Sequence, residues 1–119
     1  MIFMEALEVI DEVREYVAAP GKLPALIDRF NKHAFRLFAK HGMEVVQIGM
    51  TSIGDQSFNE IVYTLRFASL AELDSKWAAL LADREMISAL SESEANGPLI
   101  QSMRRRLLTS EPFYVGANG

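Results

Sequence analysis

The spacing of apolar residues predicts an α+β domain whose elements run strand, helix, strand, strand, helix, strand. Three observations predict it. Apolar and polar residues nearly alternate over 7–17 and 59–67, apolar residues recur every three or four positions over 23–41 and again after 69, and turn residues separate these runs.

From Leu7 to Val17, Val9, Val13 and Val17 occupy odd positions, and Glu8, Glu12, Arg14 and Tyr16 even ones. This reads as a strand with one apolar and one mixed face, although Asp11 and Glu15 interrupt the apolar set. The valines are expected to face the helices, which turns Glu12, Arg14 and Tyr16 toward the opposite side of the sheet. Pro20-Gly21 is a turn signal, and Pro24 is tolerated in the first turn of a helix predicted from Leu23 to His41. Leu23, Leu26, Ile27, Phe30, Ala34, Leu37 and Phe38 fall on a stripe about 120° wide. Gly42 ends it.

Residues 43–53 carry apolar and β-branched side chains on both alternating sets, Val45 and Thr51 against Val46, Ile48 and Met50, which predicts a strand buried on both faces. After the polar turn Gly54-Asp55-Gln56-Ser57, residues 59–67 set Ile61, Tyr63, Leu65 and Phe67 against Val62, Thr64 and Arg66, completing a β-hairpin. Ser69-Leu70-Ala71-Glu72 has the spacing of a capping box. The second helix follows, with Leu70, Leu73, Trp77, Leu80 and Leu81 as its stripe, and Asp83 caps a shorter piece through Leu90. Residues 91–98 read as a loop, 100–109 as a closing strand, and Pro112 to Val115 as a packed tail. The order is that of a ferredoxin-like βαββαβ domain, an antiparallel sheet with both helices on one face. Because both residue sets of the middle strands are largely apolar, a second copy is expected to cover the other face, giving a homodimer.

Length and composition set further bounds. The 119 residues suit one domain spanning 1–119, and 12 basic against 16 acidic residues give a net charge of −4, the wrong sign for a nucleic-acid partner. No apolar run approaches the roughly 20 residues of a membrane span, and the N-terminus lacks the pattern of a signal peptide, so no membrane partner and a cytoplasmic location are expected. The absence of cysteine excludes disulfides, zinc–cysteine sites, iron–sulfur clusters and thiol catalysis, and two histidines argue against a multi-histidine metal site. No cofactor and no metal are expected. Gly-rich phosphate loops, His-Glu-x-x-His and Gly-x-Ser-x-Gly are absent from the sequence.

Glu12-Val13-Arg14-Glu15-Tyr16 followed by Pro20-Gly21-Lys22 resembles the opening signature of the NIPSNAP family. Asn59 to Tyr63 running into Ser69-Leu70-Ala71-Glu72, then Ala79 to Asp83, and finally Leu107 to Phe113, are similar to its later landmarks in the same order. The resemblance implies the dimeric α+β barrel superfamily, which also holds cofactor-free monooxygenases, muconolactone isomerase-like enzymes and haem-degrading enzymes. Most NIPSNAP members lack an assigned reaction. The chain departs from the family pattern where Leu73 and Asp74 replace a frequent Arg, where Met50 replaces a frequent Trp, and at Asp83-Arg84-Glu85-Met86, which implies a pocket of altered shape and charge.

Several residues are candidates for chemistry. His41, at the end of the first helix stripe, reads either as a general base at a cleft mouth or as a cation set against the last helix carbonyls, and the second reading needs no ligand. His33 reads as a boundary residue of the same helix. Asp74, about 60° from Trp77 on the second helix, is a candidate for proton transfer against an aromatic wall, or else an ordinary boundary acid. Arg14 and Tyr16 can neutralise and orient an oxygen-bearing ligand, or with Glu12 can fix the register of a dimer. Trp77, Met50 and Arg66 complete the predicted ligand set. Arg104-Arg105-Arg106 alternate along a strand and read as salt-bridge partners, not as one patch. The combined expectation is a protein that binds a small, partly apolar molecule with cofactor-independent proton transfer or oxygenation, the alternative being a non-enzymatic dimeric scaffold.

Overall fold

The computed structural model describes residues 9–109. Strands β1 (Ile10–Ala18), β2 (Glu44–Met50), β3 (Glu60–Phe67) and β4 (Ile100–Thr109) form one antiparallel sheet in the order β2-β3-β1-β4. Helices α1 (Leu23–Arg29) and α2 (Phe35–Lys40) connect β1 to β2, and α3 (Leu70–Ala82) and α4 (Arg84–Ser93) connect β3 to β4. This is the predicted βαββαβ order. The first strand's expected start at Leu7 and the tail from Pro112 to Val115 lie outside the described residues.

The sheet faces are reversed from expectation at β1. Ile61, Tyr63, Leu65 and Phe67 of β3 are all at most 5% exposed, and register places Ile10, Glu12, Arg14 and Tyr16 beside them on the helix side. The bulky apolar set of β3 decides which face is buried, and pairing forces β1 to follow it. Glu12, Arg14 and Tyr16 therefore point under the helices, away from the free face of the sheet. That free face is less apolar than predicted. Asp11 pairs with Arg66 at 2.7 Å and Glu15 with Arg106 at 2.9 Å, between Val13, Val17 and Val62. Arg104 also reaches Glu15, at 3.8 Å, while Arg105 turns to the helix side, the alternation expected of the triplet. Strand β2 is not buried on both faces in the single chain: residues 46–50 are exposed, and a bulge interrupts its register between Val45 and Gln47.

The first helical segment is not one continuous α-helix. A π-helical turn over Phe30–Ala34 separates α1 from α2, closed by the Phe35 N–H on the Phe30 carbonyl. One extra residue in that turn advances the stripe, so Phe35 packs 5.7 Å from the Phe30 ring, while Ile27 is 37% exposed. The segment ends as predicted. Gly42 takes φ +66°, Met43 N–H bonds the Phe38 carbonyl at 2.8 Å and Gly42 N–H the Ala39 carbonyl at 3.1 Å, the two bonds of a Schellman motif. Lys76 Nζ of α3 caps the same turn at the Gly42 carbonyl, 2.6 Å away.

Ser69 Oγ accepts from Glu72 N–H at 3.1 Å, and the Glu72 carboxylate accepts in return from the Ala68 N–H, one residue before the cap. Asp83 caps α4 through the Glu85 N–H at 2.8 Å. Leu26, Leu37, Leu65 and Leu80 are fully buried where the helices meet the sheet. Helix α4 is different: Ala89 alone is fully buried, with Met86 packing partly against the core.

Candidate functional site: a cavity between helices and sheet

A cavity of about 200 Å³ lies between the sheet and the helices. Arg14, Tyr16 and Tyr63 make its floor, Phe30, Phe38 and Trp77 its walls, and Met86, Ala89 and Leu90 of α4 its roof. Arg29, His33 and Glu94 add polar groups. The π-helical turn contributes Phe30, His33 and Ala34, so the local widening of the helix sits on the cavity wall.

Under the floor lies a carboxylate with no exposure at all. Glu12 Oε2 accepts from Arg14 Nη1 at 2.8 Å and from Arg105 Nε at 2.6 Å, and Oε1 accepts from Trp77 Nε1 at 2.6 Å. Arg14 then reaches the phenols: its Nε donates to Tyr63 Oη at 2.8 Å and Tyr16 Oη at 3.1 Å, and its Nη2 to Tyr16 Oη at 3.0 Å. The two phenol oxygens are 2.7 Å apart, and the guanidinium carbon lies 4.3 Å from the Trp77 ring centre. A buried charge is tolerated only when paired and hydrogen-bonded, and every buried side-chain nitrogen and oxygen among the described residues has a partner. Burial, then the neighbouring Tyr16, push the Tyr63 phenol well above its usual value against the pull of Arg14, so it stays neutral. Burial alone would lower the Arg14 pKa, but Tyr63, Tyr16 and Glu12 outweigh it, and Arg14 is a fixed cation.

Of the predicted site residues, the cavity brings together Arg14, Tyr16 and Trp77. Asp74 borders an adjoining cleft with Arg14, Trp77 and Arg105. Met50 lies on the edge strand β2, 42% exposed, and Arg66 is bound to Asp11 on the free face of the sheet. His41 sits at the end of α2, where Nε2 lies 2.7 Å from Asp83 Oδ2, paired with a carboxylate and not with the last helix carbonyls. His33, read as a boundary residue, lies on the cavity wall. Tyr63, Arg105 and the central part of Glu12 were missed. The alternation of β3 carried the signal for Tyr63, since the register that buries Leu65 and Phe67 also buries it beside Arg14.

The roof is fastened by charge. Lys40 and His41 hold Asp83, Arg36 and Lys40 hold Glu85, and at the far end Arg29 bonds Ser93 and Glu94. Lys40, then His41 and the Glu85 N–H, hold the Asp83 carboxyl well below the usual range, Lys40 and Arg36 lower Glu85, and Lys76 with the Ala68 N–H lowers Glu72. A depressed carboxylate stabilises the fold above its unfolded value, about pH 4, and loses that contribution as pH falls toward its folded value. The denaturation midpoint is therefore expected to be level near neutrality and to fall below about pH 4. Asp83→Asn should flatten that fall, and amide exchange should rise first in α4 as acid or salt loosens its ties.

The architecture is that of a ferredoxin-like α+β domain with a cavity between its layers, and a match to the NIPSNAP family covers residues 11–114. The chain belongs to the NIPSNAP family. A NIPSNAP-like domain protein from Burkholderia xenovorans superposes with a TM-score of 0.78 at 20% identity, over 92% of this chain and 91% of that one. A NIPSNAP family protein of unknown function from Agrobacterium tumefaciens gives 0.76 at 24% identity, over 92% and 94%. A putative antibiotic biosynthesis monooxygenase from Chloroflexus aurantiacus gives 0.56 at 19% identity, over 93% and 97%. The fold is thus shared with these proteins. No curated protein matches the chain.

Proposed function

We propose that this NIPSNAP protein binds a small, partly apolar molecule in the cavity between helices and sheet, and that its chemistry there is cofactor-independent proton transfer or oxygenation. The observation that carries the reading is the contrast inside one cavity: apolar walls of Phe30, Phe38 and Trp77 above a floor of Arg14 and two phenols. Binding sites combine a mostly apolar lining with a few fixed polar groups, and this floor is held in place by its own hydrogen bonds before any ligand arrives. A cavity of about 150 Å³ can hold benzene, so the size suits a single ring or a short chain. The Chloroflexus protein, a putative antibiotic biosynthesis monooxygenase, shares the fold with this chain, in keeping with the oxygenation arm of the proposal.

A thermal-shift screen of single-ring compounds tests the reading. Compounds that raise the melting temperature of the wild type, and do so equally in His41→Ala, support it; a screen in which none stabilises the wild type would sink it. The scaffold alternative and the homodimer rest on another feature. Met103, Leu107 and Leu108 of β4 and Ile48 and Met50 of β2 are 37–50% exposed, apolar surface at the sheet edges that the described residues leave open. We propose that a second copy covers part of it, and a purely monomeric species in sedimentation at micromolar concentration would contradict the pairing.

A further inference from the structure

The two phenols on the cavity floor hold two protons, and their surroundings use one. Tyr16 Oη accepts from Arg14 Nε and Nη2, Tyr63 Oη accepts from Arg14 Nε, and one bond of 2.7 Å joins the two oxygens. Whichever phenol donates in that bond, the other keeps a proton with no acceptor among the described residues. Tyr63 is 1% exposed and Tyr16 9%, so the cavity they line is where an acceptor for that proton can sit.

The charge count points the same way. Arg14 and Arg105 share the single carboxylate of Glu12, which leaves one positive charge of the cluster without an ion-pair partner among the described residues. Among the described residues, no other ion pair compensates it. Arg29 and Glu94 neutralise each other at 2.9 Å, and Asp74, in the adjoining cleft, is exposed and has no ion pair among the described residues. A cation below a polarised O–H donor favours an acceptor that carries negative charge.

We infer that the molecule held here is a small oxyanion, a carboxylate, enolate or phenolate on a single ring or short chain, whose charged oxygen takes the spare proton donor of the Tyr16–Tyr63 pair above Arg14. The inference rests on the cavity being a ligand site and names the chemistry of what fills it. The hydrocarbon part of the ligand lies against Phe30, Phe38 and Trp77.

Isothermal titration with benzoate and its neutral counterpart benzamide at neutral pH tests this. Benzoate is expected to bind at least about tenfold more tightly, the gain typical of a hydrogen bond to a charged group. Tyr16→Phe and Tyr63→Phe should each keep most of that preference, because the remaining phenol recovers a free proton, and the double variant should lose it. Arg105→Gln, which removes the surplus charge from a position whose side chain is 44% exposed, should cut the preference and leave the chain folded. With 4-nitrophenol, an absorbance band of the ionised form on binding extends the class to phenolates and enolates, and binding of the neutral form restricts it to carboxylates. Benzamide binding as tightly as benzoate overturns the oxyanion inference and leaves the cavity a ligand site; a folded wild type that binds neither probe overturns both.

Discussion

Glu12→Gln is expected to destabilise the protein by about 3 kcal/mol or more, a large share of the 5–15 kcal/mol that a domain typically has. The substitution keeps the shape of the side chain and removes its charge. Two guanidiniums and an indole N–H now converge on that carboxylate, at 2.6–2.8 Å, in a position with no exposure. With glutamine there, one terminal atom becomes a donor facing donors, and Arg14 becomes a buried cation without a counterion. Breaking a buried pair from one side costs more than the pair contributes, because the surviving charge cannot return to water. Arg104→Gln is the contrast. Its partner contact is 3.8 Å long on a side chain 83% exposed, so its loss should be worth at most a few tenths of a kcal/mol. Urea denaturation of the two variants, with unchanged m-values, checks the difference; equal midpoints would remove Glu12 from the centre of the fold.

Ala89→Phe is expected to separate stability from binding. Ala89 is 3% exposed and forms part of the cavity roof. An added ring in a packed core usually costs about 1–3 kcal/mol, but here it enters a space larger than the roughly 150 Å³ that holds benzene. The melting temperature should therefore stay within a few degrees of the wild type, while affinity for any ligand of the cavity falls by about a hundredfold or more, since ligand and ring claim the same volume. Unchanged affinity would place the ligand elsewhere.

Much of the fold was legible because each element carried a local reason for itself. The Gly42 stop, the Ser69 cap and the Asp83 cap are visible as side chains at fixed offsets, and the structure uses each of them. The faces of β1 were not legible in β1 alone. Val9, Val13 and Val17 form the cleaner apolar set, and the decision came from β3, whose larger side chains took the helix side and carried Glu12, Arg14 and Tyr16 with them. Such long-range pairing leaves no trace in the period of a single strand. The π-helical turn was hidden for a related reason. A stripe read at 3.6 residues per turn continues smoothly through Phe30 and Ala34, and the extra residue shows only in the fold, in the Phe35 N–H bond to the Phe30 carbonyl and the packing of the two rings. His41 is bonded to Asp83 at the helix end, and His33 lies in the π-helical turn beside the cavity.

Trp77 is the only tryptophan in the chain, and its indole N–H joins the cavity wall to buried Glu12. Its side-chain resonance is therefore a single reporter for the whole site. In a titration of the wild type with benzoate and other single-ring probes, followed by NMR, a saturable shift of that indole N–H signal is expected with at least one probe, and none in Ala89→Phe. A signal that no probe moves in the wild type, or that moves equally in both proteins, would contradict it.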